Sequence, residues 1–229
     1  MKITTLNLEG FTDWEARKPN IIAYLKDAAP DVILFQEAVF IPEISIYNQV
    51  QLLNETLAYP FEHSAITRLQ TSVVYETFRE GLACLSKLPV IKTDDIILKK
   101  ASQDKHNRII QCIDVVIDGK IVKLANVHFS LTDTIDFASA HLSETLSIFA
   151  ARGEERIIAG DFNLNHLEST AELWQERYVA STRFSYTSFP SLNKSIDYVL
   201  VPKRYEFTSL AASADGLSDH RALTVDIKT

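Results

Sequence analysis

The feature that most limits what this chain can fold into is its division into short apolar runs of strand length, several ending abruptly on a polar side chain. One such run is Ile157-Ile158-Ala159-Gly160, followed at once by Asp161-Phe162-Asn163. Side chains on a strand alternate with period 2, so this spacing delivers Asp161 and Asn163 to the same edge of a sheet. Taken alone, Asp-Phe-Asn is equally a turn that caps a strand, because Asp and Asn are ordinary turn residues. The same form recurs elsewhere, and the recurrence is what carries weight.

In chain order, Ile3, Thr5 and Leu6 run into Asn7, and a turn-like Glu9–Asp13 follows. Residues 14–28 place Trp14, Ile21, Ile22 and Leu25 at helical spacing with Pro30 as the stop. Asp31–Glu37 is then a strand apolar on both faces that ends in Gln36 and Glu37. Residues 43–59 predict a second helix closed by Pro60. Strands are expected at Phe61–Thr67, Ser72–Tyr75, Gly81–Ser86, Val90–Leu98, Ile109–Ile117 and Ile121–His128, the last two joined by the hairpin turn Asp118-Gly119. Residues 99–108, with Lys99, Lys100, Lys105, His106 and Arg108, read as a solvated hairpin tip. A helix over 132–151 follows. After the Ile157 strand come a short helix near Glu168–Gln175, an irregular aromatic stretch from Tyr178 to Pro190, and strands at Ser195–Val201, Tyr205–Ala211 and Ala222–Ile227. Many short strands with few helices between them point to two packed, mostly antiparallel β-sheets flanked by helices, an α/β sandwich of four layers.

Length and charge set the remaining bounds. At 229 residues and 46% apolar content, one large domain over 1–229 is expected. The net charge of -7 argues against holding long duplex DNA through phosphate neutralisation. Cys84 and Cys112 each sit inside an apolar run, as buried reduced thiols do. A strand-like Lys2–Leu6 directly after Met1 leaves no room for a secretory leader, and no apolar run reaches membrane-span length, so a soluble, cytoplasmic protein is expected. Trp14 and Trp174 read as packing residues, and Arg108 as a hairpin-end cation with some reach toward a ligand.

The polar strand ends form an ordered series: Thr5-Leu6-Asn7, Gln36-Glu37, Gly81–Lys87, Asn126-Val127-His128, Gly160–Asn163, Ile196-Asp197-Tyr198 and Ser218-Asp219-His220. In order and local wording this resembles the endonuclease/exonuclease/phosphatase superfamily of metal-dependent phosphohydrolases, along the whole chain. Any single tripeptide is a weak signal, and the ordered set is a strong one. The resemblance implies two face-to-face sheets between helices, with the site where strand ends converge.

It also implies roles. Glu37 matches the principal carboxylate for Mg²⁺ or Mn²⁺, with Asn7 beside it and Asp219 toward the metal region, in keeping with a hard cation's preference for oxygen. Asp161 matches the group that orients the attacking water and takes its proton, and Asn163 a donor to the phosphate. His220 matches a phosphate-facing histidine oriented by Asp197. His128 corresponds to a second site histidine, with Glu80, just before Gly81, as its implied support. Hydrolysis of a phosphate ester needs charge neutralisation, an aligned nucleophile and a proton for the leaving oxygen, and this set can supply all three.

Substrate is less constrained. Glu37 is followed by Ala38 where abasic-site nucleases of the superfamily usually carry Lys, and no basic DNA-wrapping loop is evident. Phe40-Ile41-Pro42 and Phe184–Phe189 are candidates for an apolar rim. The expectation is a divalent-metal phosphodiesterase. The alternatives are a nuclease for short or single-stranded nucleic acid, a lipid-headgroup or inositol-phosphate hydrolase, or an inactive binding module on the same scaffold. The sequence is silent on oligomeric state.

Overall fold

Alternation along individual strands divides most of the apolar side chains among three main cores and so builds four layers. The computed structural model describes residues 1–71, 75, 77–131 and 136–229. One sheet contains β1 (Lys2–Asn7), β2 (Val32–Phe40), β3 (Phe61–Gln70), β4 (Phe78–Ser86), β11 (Glu206–Ala212) and β12 (Leu223–Lys228), in the order β11-β12-β1-β2-β4-β3. The other contains β5 (Val90–Ile97), β6 (Ile109–Ile117), β7 (Lys120–His128), β8 (Ile157–Asp161), β9 (Tyr178–Ala180) and β10 (Asp197–Pro202), in the order β5-β6-β7-β8-β10-β9.

In β2, Val32 and Leu34 join the core between the sheets, where Ile113, Leu124, Ile157 and Val199 meet them from the second sheet. Ile33 and Phe35 point the other way, into a core with Trp14, Ile21 and Leu25 of α1 (Trp14–Ala28) and Val50 and Leu53 of α2 (Gln49–Leu57). β8 repeats the scheme. Ile157 and Ala159 face the first sheet, and Ile158 packs outward with Leu142 and Phe149 of α3 (Phe137–Ala151). A side chain fully withdrawn from water at such a position contributes about 1.5–3 kcal/mol. Cys84 and Cys112 are free and buried, and Trp14 and Trp174 are core residues, as expected.

Strand pairing is antiparallel except for β1 with β2 and β7 with β8. α1 connects the first parallel pair in the chain and α3 the second. Parallel pairing sets C-terminal strand ends side by side, Asn7 opposite Gln36 and His128 opposite Asp161, while the antiparallel β10 starts with Asp197 opposite Asp161. Crevices outside the carboxyl ends of parallel strands are where α/β folds bind ligands.

Several boundaries differ from the sequence reading. β2 does not stop at Glu37; it runs to Phe40 through a register shift between Phe35 and Ala38, and Glu37 has φ 52°. α2 begins at Gln49, not near residue 43, because Asn48 and Gln51 form a reciprocal capping box. The expected strand Ser72–Tyr75 lies outside the described residues apart from Tyr75, and so do residues 132–135 of the third predicted helix; α3 begins after an Asp136 cap. The short predicted helix divides into a 3₁₀ turn (Leu167–Thr170) and α4 (Ala171–Trp174), and the stretch read as irregular contains the edge strand β9. No helix among the described residues is long and apolar enough to cross a membrane.

Gly160 is required by close approach. Its φ is +146°, and a Cβ there would fall 2.0 Å from the Val127 carbonyl oxygen of β7. At Gly119 of the hairpin turn φ is +74° and a Cβ would meet open space. Gly119→Ala is therefore expected to cost about 1 kcal/mol, the conformational penalty alone. Gly160→Ala is expected to cost about 3 kcal/mol or more, since it adds a clash the strand can relieve only by separating β7 from β8. Urea titrations of the two variants test this, and equal midpoints would show that the β7–β8 approach is not constrained.

Candidate active site

A cavity of 320 Å³ opens at the converging strand ends, lined by Asn7, Glu37, His128, Asp161, Asn163, Asp219 and His220 on one side. Its other walls carry Arg68, His106, Arg108, Asn165, Phe189 and Lys194, with Leu131 and Leu192 at the mouth. Seven of the nine residues expected from sequence thus share one cavity. Asp197 lies directly behind it, bonded to His220, and Glu80 is set apart.

Asp161 ends β8 fully enclosed. Its Oδ2 accepts from Asn7 Nδ2 at 3.1 Å and lies 3.4 Å from His128 Nε2, and its Oδ1 accepts from the Asn163 backbone N–H at 2.9 Å. Burial, followed by the nearby Asp197 carboxylate, raises its pKa well above the usual carboxylate range. Asn163 is not carried on the strand. It follows β8 with φ 52°, so the Asp-Phe-Asn segment is both a turn and part of the cavity wall. Its Nδ2 donates to Phe129 O at 2.9 Å, leaving a second N–H free of that bond.

Behind the cavity, His220 Nδ1 and Asp197 Oδ2 are 2.8 Å apart. Burial alone lowers an imidazole's pKa, but here the Asp197 charge and hydrogen bond, with Asp161 adding, outweigh it and push His220 up to about 10. Nδ1 then donates to Asp197, and Nε2 faces Asp161 at 4.0 Å and Asp219 at 3.9 Å. The Phe189 ring packs on the imidazole, with centroids 4.9 Å apart. His128 behaves oppositely. Burial, then Arg108 and Arg68, hold it well below the ordinary histidine value, so its imidazole is neutral.

Glu37 owes its position to the β-bulge. By strict alternation after Val32, Leu34 and Gln36 it would face the helix layer, and the extra residue turns it into the cavity. Its carboxylate pKa is raised by burial and then by Glu80, and its Oε1 lies 3.9 Å from His128 Nε2. Asn7 is already engaged on both amide atoms, with Oδ1 accepting from Glu9 N at 3.0 Å, so it positions Asp161 while leaving one Oδ1 lone pair.

The implied support of His128 by Glu80 is not what the structure shows. Glu80 pairs across the β3–β4 ladder with Arg68, accepting at 2.9 Å from Nε and 2.7 Å from Nη2. The carboxylates nearest His128 Nε2 are instead Asp161 Oδ2 at 3.4 Å and Glu37 Oε1 at 3.9 Å.

The 99–108 segment also departs from expectation. Lys99, Lys100 and Lys105 are exposed, but Arg108 is 4% exposed and faces the cavity. Arg68, His106, Asn165 and Lys194 were not foreseen as lining residues, whereas Phe189 belongs to the Phe184–Phe189 stretch expected at an apolar rim. Arg108 had a legible signal: counting back from the Asp118-Gly119 turn pairs Ile110 with Val127, which sets Arg108 beside the His128 end of β7. Arg68 had none, because a bulge between Ile66 and Arg68 shifts its register.

Two carboxylates with raised pKa values, half-buried Glu37 and buried Asp161, face one cavity, and that concentration of negative charge suits a divalent cation. Asp161, Asp197 and His220 also present ligand atoms within 4.8 Å of one another. In that group the His220 Nδ1–Asp197 bond would have to be given up to a metal. The oxygen-rich side at Glu37, Asn7 and Asp219 requires no such loss, and it suits a hard cation better.

Mixed parallel and antiparallel sheets in four layers thus bring carboxylates, amides and a histidine–carboxylate pair together at the strand ends. The chain belongs to the Endonuclease/Exonuclease/phosphatase family, whose model matches residues 4–220; its members are phosphoesterases, nucleases and phosphatases. No curated protein matches the chain by sequence. Among solved structures, a family protein from Leptotrichia buccalis superposes with TM-score 0.82 at 17% identity, covering all of both chains. The human nocturnin catalytic domain with bound sulfate anion gives 0.77 at 18%, covering 100% of this chain and 94% of that one. Sphingomyelinase C from Streptomyces griseocarneus gives 0.70 at 18%, covering 100% and 99%. At these identities the likeness is one of fold.

The His220–Asp197 pair predicts a pH dependence. With an ordinary value of 6.5 and a folded value of about 10, His220 favours folding when protonated. That contribution is fully present below about pH 6.5 and is lost as pH rises through about 10. In the metal-free protein, NMR titration should place the His220 midpoint near 10, and Asp197→Asn should bring it down toward the ordinary value and flatten the alkaline loss of stability. An unshifted midpoint in Asp197→Asn would dissociate the two residues.

Proposed function

We propose that the chain is a divalent-metal-dependent phosphoric ester hydrolase, acting on phosphodiesters by in-line attack of water. The observation that carries this reading is the placement of Asp161, with its raised pKa, between Asn7, His128 and the His220–Asp197 pair in a cavity that also holds Glu37.

Each group has a part that follows from its environment. Asp161, destabilised as an anion by burial, is a better base near neutral pH than an ordinary carboxylate and takes the proton of the attacking water. Asn7 and the Asn163 backbone fix its orientation. The second Nδ2 proton of Asn163 and the Nε2 proton of cationic His220 donate to the phosphate oxygens, where negative charge grows in the transition state. Neutral His128 bears on Asp161 and helps hold the water. Glu37, with Asn7 and Asp219 beside it, holds Mg²⁺ or Mn²⁺, which when bound neutralises substrate charge as a Lewis acid. Asp197 acts through His220, keeping its tautomer and charge.

A panel of phosphate esters, assayed with Mg²⁺ and with chelator, tests the reading: an aryl phosphodiester, an aryl monoester, single- and double-stranded oligonucleotides, sphingomyelin and inositol phosphates. Metal-dependent turnover of at least one diester is expected. Asp161→Asn should lower kcat about 10²–10⁴-fold with the fold intact, and Asp197→Asn about 10–100-fold. No turnover of any ester would leave a binding module on the same scaffold.

Glu37→Gln separates binding from folding. It should abolish Mg²⁺ binding in calorimetry while raising the metal-free protein's stability at neutral pH, because an ionised carboxylate that burial and Glu80 destabilise is removed. Unchanged Mg²⁺ affinity would move the metal elsewhere.

With 23 Lys and Arg against 30 Asp and Glu, long duplex DNA should bind weakly. Duplex affinity measured at two ionic strengths, with Ca²⁺ in place of Mg²⁺, should show a shallow salt slope. Tight binding with a steep slope would instead favour a duplex nuclease.

A further inference from the structure

A third histidine lines the catalytic cavity, and the chemistry set out above makes no use of it. His106 is half-buried in the 99–108 segment and reaches the cavity bonded to Arg68, which also lines it. The contact runs between Arg68 Nη1 and His106 Nδ1. A guanidinium carries only N–H donors, so the arginine donates and Nδ1 is the bare, accepting nitrogen. The single proton of the neutral imidazole therefore sits on Nε2, which has no hydrogen-bond partner among the described residues.

The arginine is itself fixed. Buried Glu80 presents Oε1 to Arg68 Nε at 2.9 Å and to Nη2 at 2.7 Å, which leaves Nη1 for the imidazole. The register shift between Ile66 and Arg68 is what sets this arginine opposite Glu80. The backbone of His106 is held separately. Its N–H donates to Asp104 Oδ1 at 2.9 Å, and buried Asp104 accepts in turn from Ser130 Oγ at 2.7 Å. A carboxylate on β4, a guanidinium on β3 and an imidazole at the cavity are thus bonded in series, with both ends of the series anchored.

This arrangement is the reverse of the one at His220. There a carboxylate on Nδ1 keeps the ring cationic. Here a guanidinium on Nδ1 opposes a second positive charge, and burial, then Arg108 and Arg68, hold His106 below the ordinary histidine value. The ring stays neutral while the cation on Nδ1 draws electron density from it, so its Nε2–H is a stronger donor than that of a free neutral imidazole. A neutral histidine can polarise a substrate oxygen in this way without giving up its proton. Resting on the hydrolase reading above, we propose that His106 is a further catalytic residue, donating its Nε2–H to an oxygen of the bound ester, with Arg68 and Glu80 as the positioning residues that fix its tautomer.

Nitrogen NMR of the full chain labelled with ¹⁵N-histidine reads that tautomer directly. Wild-type His106 should carry its proton on Nε2 at neutral pH. Diphenyl phosphate, with Ca²⁺ in place of Mg²⁺, should shift the Nε2 signal. Arg68→Met combined with Glu80→Gln, which leaves no unpaired buried carboxylate, should give a mixture of both tautomers and move the His106 midpoint up toward 6.5. In hydrolysis of bis(4-nitrophenyl) phosphate with Mg²⁺, His106→Ala should lower kcat about 10²-fold, the loss typical of one transition-state donor. His106→Gln, whose amide N–H can stand near the place of Nε2, should recover about tenfold of that loss, a rescue that a packing role alone would not produce. A wild-type proton on Nδ1, an Nε2 signal unmoved by saturating diphenyl phosphate, or a His106→Ala kcat within about twofold of wild type would each overturn the assignment.

The NMR measurement does not depend on turnover, so it separates this failure from that of the hydrolase reading. A chain that hydrolyses no ester, but whose His106 Nε2 signal moves on binding diphenyl phosphate, keeps the contact and loses the hydrolase. A chain that hydrolyses the diester equally well with and without His106 keeps the hydrolase and loses the contact.

Discussion

The Asn126 side chain ties the two sheets together, and the site depends on that tie. From β7 its Nδ2 donates across the interface to Phe35 O and Ala83 O, at 3.0 and 3.2 Å, and to Gln111 Oε1 at 3.0 Å; its Oδ1 accepts from Gln36 Nε2 at 2.6 Å. Gln111 extends the layer to His63 O at 3.1 Å, and Gln36 to Thr5 Oγ1 at 3.0 Å. Each buried amide left unpaired would cost about 1–3 kcal/mol, so this layer fixes how far apart the sheets stand and in which register. Phe35, whose carbonyl Asn126 holds, is the residue at which the β2 register shifts. The inter-sheet bond and the bulge that turns Glu37 inward are thus one structural event, and His128 lies two residues beyond Asn126 on the same face.

Electrostatics then set what the converging strand ends can hold. The fold gathers Glu37, Asp161 and Asp197 around two histidines, and the histidines diverge: buried His220, with a carboxylate on Nδ1, is nonetheless driven cationic, while His128 is driven neutral by burial and then by Arg108 and Arg68. Two imidazoles in one cavity therefore have different chemical capacities, and the difference comes from neighbours on other elements. Asp161 sits between them and feels both burial and Asp197. Environments that push pKa values apart are how one site obtains an acid and a base at the same pH.

Much of this was legible in the sequence, for a physical reason. Period-2 alternation and the apolar runs locate β1, β2, β6, β7, β8 and β10, and a polar residue closing a buried run must find a partner, which is why Asn7, His128, Asp161 and Asp197 stood out. What alternation cannot supply is its own interruption. Glu37 enters the cavity because β2 slips by a residue, and Arg68 meets Glu80 because β3 does the same, so the expectation that Glu80 would support His128 failed at a bulge. The 99–108 loop misled for another reason. Its exposed lysines made it read as a solvated tip, whereas buried Asp104 holds the segment by bonds to the His106 backbone and to Ser130, and Ser130 in turn holds Arg108. No local pattern encodes a loop anchored by residues on the next strand pair.

The same features that suit the cavity to chemistry are costs to the folded chain. Glu37 is a non-glycine residue at φ 52°, a conformation worth about 1–3 kcal/mol of strain, and its carboxylate is destabilised further by burial and by Glu80. With 27% of its side chain exposed, Glu37 is partly relieved by water, but Asp161 at 2% has no such outlet. A chain selected for stability alone would place an amide or an apolar residue at either position. That the strand ends concentrate strain, raised carboxylates and a buried arginine whose terminal nitrogens have no hydrogen-bond acceptor among the described residues, while the three main apolar cores beneath are regular, locates the function by where the fold departs from its own rules. A bound cation at the carboxylates and a bound anion at the cationic groups would each offset part of that cost, so ligand and substrate finish the electrostatic balance that the sequence leaves open.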